Sequence, residues 1–402
     1  MKSFIRPSLY LAGLAAVTLG CELISLVPET EEKPTLAQVT NYVVRPGLVP
    51  ASEANVQRLK VPAGFRVTKF AEGLGKPRML TVGGAGQVYV TDREAGTVTL
   101  LRDANGDGTA DEKEIVANIK DVHGLTIHDG KLYLVAIREL YAADINEDGT
   151  LRQLRQIIND LPDAGQHPNR TIDFGPDNLL YITVGSTCNA CQEDNPENAT
   201  ILQVNPDGTN RKIYATGLRN TIGFGWHPET YQLWGLDHGI DWLGNNEQEE
   251  EVNQIVPNAD YGWPYIYGAG NYYPGAYVPP GGVTFAQYRQ KTTLPVLGYT
   301  AHSAPLGMVF YTGSNFPAQY QNDAFVTMRG SWNRSVPSGY KIVRLHFENG
   351  RPTRFEDFLT GFLVNNNLSQ FGRPVGITVH TDGSLLFSDD NNGVIYRIAY
   401  SR

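Results

Sequence analysis

Three histidines and a set of arginines recur in one kind of place along this chain, the loop that leads into an alternating apolar strand. These leaders are Arg78, His123, His167 with Arg170, Arg219 with Asn220, His302 and Arg373. The ends of the strands that follow add Arg138, the stretch Asp237-His238-Gly239-Ile240-Asp241, and Arg329. Guanidinium groups brought together repel one another unless an anion sits among them. Such a cluster favours a ligand with several carboxylates or phosphates, gripped by charge-assisted, bidentate hydrogen bonds. Imidazole titrates near neutral pH and suits a general base. His167 is the foremost candidate, because Pro168 fixes its loop and an inner strand follows directly. For each histidine a hydrogen-bonded lining role is the alternative. His128, His227, His346 and His380 fall at turns or outer strands and are set aside.

Two acidic loops have the spacing of cation loops. Asp103-Ala-Asn105-Gly-Asp107-Gly108 continues to Asp111 and Glu112, and Asp144-Ile-Asn-Glu-Asp-Gly149 repeats the pattern. Oxygen ligands at alternate positions, with glycine for the turn, suit calcium. Solvated hairpin turns are the competing reading, since neither loop has a helix on each side. Of three cysteines, Cys188 and Cys191 are three positions apart at the end of a strand. A short disulfide is the expected state in an exported chain. A redox-active pair or half a metal site is the alternative, although no second pair exists to complete a zinc site. Gly83-Gly-Ala-Gly86 lies in a hairpin turn and opens no helix, so it is not a dinucleotide fingerprint. Neither a G-x-S-x-G elbow nor an H-E-x-x-H motif is present.

What must position these residues is a repeated β-unit. The second strand of each unit is the easiest to see: Val88–Asp92, Leu132–Ala136, Leu180–Val184, Leu233–Asp237, Phe325–Arg329 and Leu385–Asp389. One such unit cannot bury both its faces, so six imply radial stacking. The expected fold is all-β: a six-bladed β-propeller with four-stranded antiparallel blades around a central channel. The first strand of each blade lines that channel, so the leaders converge there. Phe65 to Phe70 alternates as a strand should, and pairing with Val394–Ile398 would close the ring and remove exposed edges. The units lead off near residues 75, 122, 167, 218, 303 and 372, and the long interval after 218 holds an insertion. It carries Tyr261-Gly-Trp-Pro-Tyr265, Tyr267, Tyr272, Tyr273 and Tyr277. Its aromatic faces suit sugar rings or flat cofactors, or they pack on one another over a blade edge.

Composition agrees. The 402 residues are 41% hydrophobic and only 19% charged, with 42 glycines and 21 tyrosines, a turn-rich and strand-rich make-up. The formal net charge of −9 argues against nucleic acid as a partner. Lys2 and Arg6 precede an apolar run from Leu9 to Leu19, too short to span a bilayer. Residues 1–20 read as a signal peptide, and Thr18-Leu-Gly-Cys21 resembles a bacterial lipobox, with Thr18 where leucine is usual. The expectation is an exported protein of the bacterial cell envelope, periplasmic or surface-facing. Lipid on Cys21 would be its only membrane attachment. Residues 21–59 read as a tether and 60–402 as the propeller domain.

The motifs taken together resemble the soluble glucose/sorbosone (aldose) dehydrogenases that use pyrroloquinoline quinone. The matching segments are Val61-Pro-Ala-Gly-Phe65, Gly165-Gln-His-Pro-Asn-Arg170 with Gly175-Pro-Asp177, Gly185-Ser-Thr-Cys-Asn-Ala-Cys191 and Gly217-Leu-Arg-Asn220. Further along come Asp260-Tyr-Gly-Trp-Pro264, Ala304-Pro-Leu-Gly307, Gly330-Ser-Trp-Asn-Arg334 and Gly372-Arg-Pro-Val-Gly376. The resemblance implies His167 as catalytic base, with Arg219, Asn220 and Arg373 at the quinone. It puts His123 near the substrate and Arg329 at a cofactor-binding basic position. It implies that the backbone carbonyls of Gly239 and Ile240 hold a calcium ion against the cofactor. It implies hydride transfer from the hemiacetal or alcohol carbon of an aldose or related sugar, with an external electron acceptor to follow. This chain departs from the family where it reads Asp237-His-Gly-Ile-Asp241, then Asn245-Asn-Glu-Gln-Glu-Glu-Glu251. Two other functions remain open: a calcium-dependent propeller lactonase or esterase, disfavoured by cationic rather than acidic leaders, and a non-catalytic envelope binding scaffold.

Overall fold

The computed structural model describes residues 43–163, 165–273 and 278–401. The signal segment, Cys21 and Tyr277 lie outside these residues. Six four-stranded antiparallel sheets follow one another along the chain. The first holds Pro77–Val82, Val88–Asp92, Thr97–Arg102 and Glu112–Asn118. The next three begin at Gly124–His128, Ile172–Phe174 and Thr221–Trp226, and the fifth at Pro305–Phe310. The sixth takes Pro374–Val379, Leu385–Asp389 and Val394–Tyr400 from the C-terminal end and Phe65–Ala71 from the other. Phe65 faces Tyr400 and Val67 faces Ile398 in that pairing, as the alternation from Phe65 predicts. The architecture is an all-β, propeller-like array.

Its core lies between sheets. Tyr89, Val98 and Leu100 of the first sheet pack with Leu125, Leu132 and Leu134 of the second. Ile172, Leu180 and Ile182 join the third sheet to Tyr133 and Val135 of the second. The same holds onward to the sixth, and Phe70, Leu386 and Ile395 of the sixth pack on Leu80, Val88 and Val90 of the first. Each alternating strand therefore buries both faces against two neighbours, which one sheet alone cannot do.

The repeated Thr or Ser near the end of the second strand has a specific job. The first strands of the first, fifth and sixth sheets carry bulges, at Pro77/Leu80, Pro305/Met308 and Pro374/Ile377. A bulge leaves an N–H without its ladder partner. Thr91, Thr327 and Ser388 accept from those N–H groups, on Met79, Gly307 and Gly376. The same hydroxyls donate across to the next sheet, at the carbonyls of His123, Val375 and Arg78. The innermost strands are so close that a Cβ on Gly307 would lie 2.5 Å from the Val375 oxygen. The hydroxyls thus tie each bulge to the neighbouring sheet.

One expectation changes. The tether does not extend through residues 43–59. Gly47–Leu48 pairs in parallel with Ser369–Gln370, Val44 bridges to Arg334, and Val56 is buried in the core. Apolar Val49, Ala51 and Val56 supply the burial that a tether lacks. Of the two readings of the aromatic insertion, its described residues fit the self-packed one: Trp263 meets Tyr273 at 5.2 Å and Tyr265 meets Tyr288 at 4.8 Å between ring centres.

Candidate active site

A cavity of about 640 Å³ opens where the leading loops meet. Lys76, Arg78, Arg93, Arg329 and Arg373 line it, against the carboxylates Glu94, Asp121 and Asp390. Asp390, 6% exposed, takes Arg78 at 2.6 Å and Arg329 at 2.9 Å. Arg93 pairs with Asp121 at 3.3 Å, and Lys76 with Glu94. Arg373 stands apart among the described cavity cations. Its guanidinium donates only to main-chain oxygens, of Arg329 at 3.2 Å and Gly330 at 2.6 Å, and lies 5.5 Å over the Tyr340 ring. Burial and the neighbouring Arg329 charge push its pKa down to about 10. An arginine so destabilised as a cation gains most from an incoming anion.

Asn220 lines the cavity and His167 does not, but both crowd Gly185. A Cβ on Gly185 would lie 2.6 Å from the His167 Cβ and 3.0 Å from Asn220 Oδ1, so the site needs a glycine there. The imidazole Nδ1–H donates to the Ser186 carbonyl at 2.8 Å and also meets Ser186 Oγ at 2.9 Å. That leaves Nε2 as the unprotonated nitrogen. Burial, then the Arg219 charge, push the pKa of His167 down to about 3, so the ring is neutral at physiological pH. Asn220 is fixed by its main-chain N–H to Asp237 at 2.8 Å and by Nδ2 to His238 Nδ1 at 3.4 Å. Its Oδ1 is buried without a partner, as is Oδ1 of Asn169, and both residues line the cavity. Two unpaired acceptors beside a cation cluster mark a place built for a ligand with both donors and negative charge.

Several leaders do other work. Arg219 does not line the cavity. It is 2% exposed, and its guanidinium is held by the Asn189 carbonyl at 3.0 Å, Asn189 Oδ1 at 2.9 Å and the His238 carbonyl at 3.3 Å. Trp263 of the insertion covers it at 5.5 Å. His123 is fully buried with both nitrogens engaged: Nδ1–H donates to the Arg170 carbonyl at 2.8 Å and Nε2 accepts from Arg78 at 3.3 Å. It steadies Arg78 and faces no open space. Arg170, also fully buried, spends itself on the carbonyls of Ile137, His167 and Pro162. His302 donates to the Gly244 carbonyl, and Arg138 is exposed away from the cavity. For Arg219, His123, Arg170 and His302, backbone oxygens stand near and take the donor.

Gly239 and Ile240 follow the strand Leu233–Asp237 in a loop. No hydrogen bond reaches either carbonyl among the described residues, whereas the flanking His238 and Asp241 carbonyls are both taken. The Asp103 loop is different. Asp103 Oδ1 accepts from the N–H groups of Gly106 and Asp107, Oδ2 from that of Gly108, and Asn105 Oδ1 from that of Asp107. Asp107 Oδ1 accepts from Thr109 N–H. These oxygens close a hairpin turn, as the turn reading expects. Cys188 and Cys191 form the expected disulfide. Together with Glu193 they are the sole cluster of three His, Cys, Asp or Glu ligand atoms among the described residues, and their sulfurs are spent on each other.

Asp390, Arg93, Lys76, Asn169 and Trp332 line the cavity although the sequence pattern did not single them out. Asp390 had a signal: it follows the strand Leu385–Asp389 at the same strand end that supplies Arg329 in the fifth unit.

Comparison with known proteins agrees with this architecture. An uncharacterized protein of Borreliella burgdorferi is 31% identical over 380 residues, covering 90% of this chain and 97% of its own length. A pyrroloquinoline quinone-dependent sugar dehydrogenase of Hypocrea jecorina is 25% identical, over 84% of this chain and 88% of its own. The fold is shared with a calcium structure of a Trichoderma reesei carbohydrate-active enzyme of family AA12. The TM-score is 0.73 at 22% identity, covering 85% of this chain and 97% of that one. Residues 134–397 match the Glucose / Sorbosone dehydrogenase family profile, and with that span the chain belongs to this family of oxidoreductases.

Proposed function

We propose that this chain is a quinoprotein that oxidises the hemiacetal or alcohol carbon of an aldose or related sugar, with pyrroloquinoline quinone and calcium as cofactors. The observation that carries the reading is the cavity in which Arg373 lacks a carboxylate partner while the Oδ1 atoms of Asn220 and Asn169 lack donors. A tricarboxylate quinone supplies the anions that such a site lacks. The six sheets are read as blades of a closed ring about a central channel, supported by the apolar clusters that link each sheet to the next and the last to the first.

The residues present fit both cofactors. Arg373, Arg329 and Asn220 would hold the quinone. The unengaged carbonyls of Gly239 and Ile240 offer oxygen donors of the kind calcium prefers. Bound there, the pair supplies a polarised carbonyl that accepts the sugar's hydride. The chain's own part is the proton. His167 Nε2 takes it from the sugar hydroxyl, and the Nδ1–H to Ser186 holds the ring in the tautomer that can do so. Trp332, edge-on to Trp242 at 4.9 Å, forms an aromatic wall at the cavity rim suited to a sugar face. Arg219 and His123 act through their neighbours. An external electron acceptor then takes the two electrons away. Export and a lipid anchor on Cys21 are proposed from the sequence alone.

The test is to mix the purified full chain with calcium and the quinone, follow uptake by absorbance, and screen sugars and alcohols for reduction of an artificial dye. Uptake with dye reduction by at least one sugar is expected. Absence of quinone uptake at any calcium concentration would overturn the proposal.

A further inference from the structure

The loop from His238 to Asp241 connects two strands and has no strand partner of its own. Three successive N–H groups in it nevertheless have side-chain acceptors from three other places. Gly239 N–H donates to Glu250 Oε2 at 3.2 Å, Ile240 N–H to Gln248 Oε1 at 3.2 Å, and Asp241 N–H to Asn189 Oδ1 at 2.8 Å. In a planar trans peptide the C=O points opposite to the N–H of the same unit. Each acceptor therefore aims one carbonyl. Glu250 sets the His238 carbonyl, which Arg219 takes up. Gln248 sets that of Gly239, and Asn189 that of Ile240.

Both amides are themselves locked. Gln248 is 1% exposed and donates through Nε2 to Glu251 Oε1 at 3.1 Å. A Cβ on Gly239 would lie 2.8 Å from the Gln248 carbonyl, so the two backbones are in contact. Asn189 donates through Nδ2 to the Asp241 carbonyl at 3.3 Å while its Oδ1 and main-chain oxygen hold the Arg219 guanidinium. It sits inside the Cys188–Cys191 disulfide, and Ser186 Oγ, which also meets His167, donates to the Cys188 carbonyl at 2.9 Å.

We infer that Asn189 and Gln248 are positioning residues that aim the Ile240 and Gly239 carbonyls, and that they thereby set the affinity of this chain for a divalent cation. The inference rests on the calcium-and-quinone reading above. Side chains that orient ligands without touching the ion typically change metal affinity by about 10–100-fold when removed.

The readout is the calcium concentration that gives half-maximal quinone uptake by the full chain, measured by absorbance, with thermal unfolding followed in parallel. Asn189→Ala and Gln248→Ala are each expected to raise that concentration about 10–100-fold while saturating calcium restores full uptake. Asn189→Asp keeps an acceptor for the Asp241 N–H and is expected to fall between wild type and Asn189→Ala. A purely structural role would lower the unfolding temperature and leave the calcium requirement alone, and that result overturns the inference. If Asn189→Ala does not fold, Gln248→Ala decides by the same criterion. A wild-type chain that takes up no quinone at any calcium concentration would instead bring down the reading of the site, and this inference with it.

Discussion

His167 gives its Nδ1 proton to the main-chain oxygen of Ser186 at 2.8 Å, and that one bond decides which nitrogen is free to act. A carbonyl accepts and cannot donate, so the tautomer is fixed without help from a carboxylate. Burial and the Arg219 charge hold the ring neutral down to about pH 3. The base is therefore ready throughout the neutral range, and its protonation limits the rate only as pH falls toward that value. His167→Ala should lower kcat by about 10²–10⁴-fold with quinone uptake unchanged. Single-turnover sugar oxidation, compared with quinone absorbance, checks both halves. A break in the wild-type rate near pH 6.5 from this histidine would contradict the assignment.

Asp390 is the shared counter-ion of Arg78 and Arg329. Replacing it by asparagine leaves two largely buried guanidiniums without their anion, a loss of about 3–5 kcal/mol in the cofactor-free protein. A bound polyanion would re-pair part of that charge. Asp390→Asn should therefore unfold at lower denaturant than wild type, with the deficit reduced when quinone and calcium are present. Denaturant unfolding with and without the cofactors measures this. An equal deficit in both conditions would mean that the cavity cations do not meet the ligand.

The repeat was legible because strand alternation is local. Thr91-Asp92 and Ser388-Asp389 mark the very positions whose hydroxyls stitch neighbouring sheets. The closing strand at Phe65 was legible for the same reason. The leading loops gave the backbone location of each candidate but not the direction of its side chain. Arg219 and Arg373 lead their units in the same way, yet Trp263 and Asn189 draw Arg219 under the neighbouring loop while Arg373 stays at the cavity. Those partners come from distant parts of the chain, which no local pattern reports. The DxNxDG spacing left two readings open because calcium loops and Asx-stabilised turns share it.

The Cys188–Cys191 disulfide closes a very short loop, so its removal costs only about 2 kcal/mol of global stability in the chain-entropy account. Its local effect is larger in prospect, because Asn189 lies between the two sulfurs and holds both Arg219 and Asp241. The Cys188→Ser/Cys191→Ser variant should unfold at nearly the wild-type temperature and yet need more calcium for quinone uptake. Calcium titration and thermal unfolding on the same sample separate the two effects. A large drop in unfolding temperature with an unchanged calcium requirement would assign the disulfide to the fold alone.

His380, in the turn between Val379 and Leu385, donates to Asp382 at 3.0 Å and to the Gly86 carbonyl at 3.0 Å, while Arg397 also reaches Asp382. Burial opposes the imidazolium, but the Asp382 carboxylate and the Gly86 oxygen outweigh it, and the pKa of His380 is raised above 6.5. Asp382 is likewise opposed by burial, yet hydrogen bonds from His380, Ser384 and Arg397 hold it well below the usual carboxylate range. A raised histidine pKa contributes stability that is fully present below about pH 6.5 and is lost as pH rises through the folded value. A lowered aspartate pKa contributes stability that is present above about pH 4 and is lost in acid. The pair therefore stabilises the junction of the first and sixth sheets most between those limits. Wild type should show a higher urea midpoint at about pH 6 than at about pH 8.5, and His380→Gln should reduce that difference. Urea unfolding of both proteins at the two pH values measures it, and an unchanged difference in the variant would place the pH dependence elsewhere.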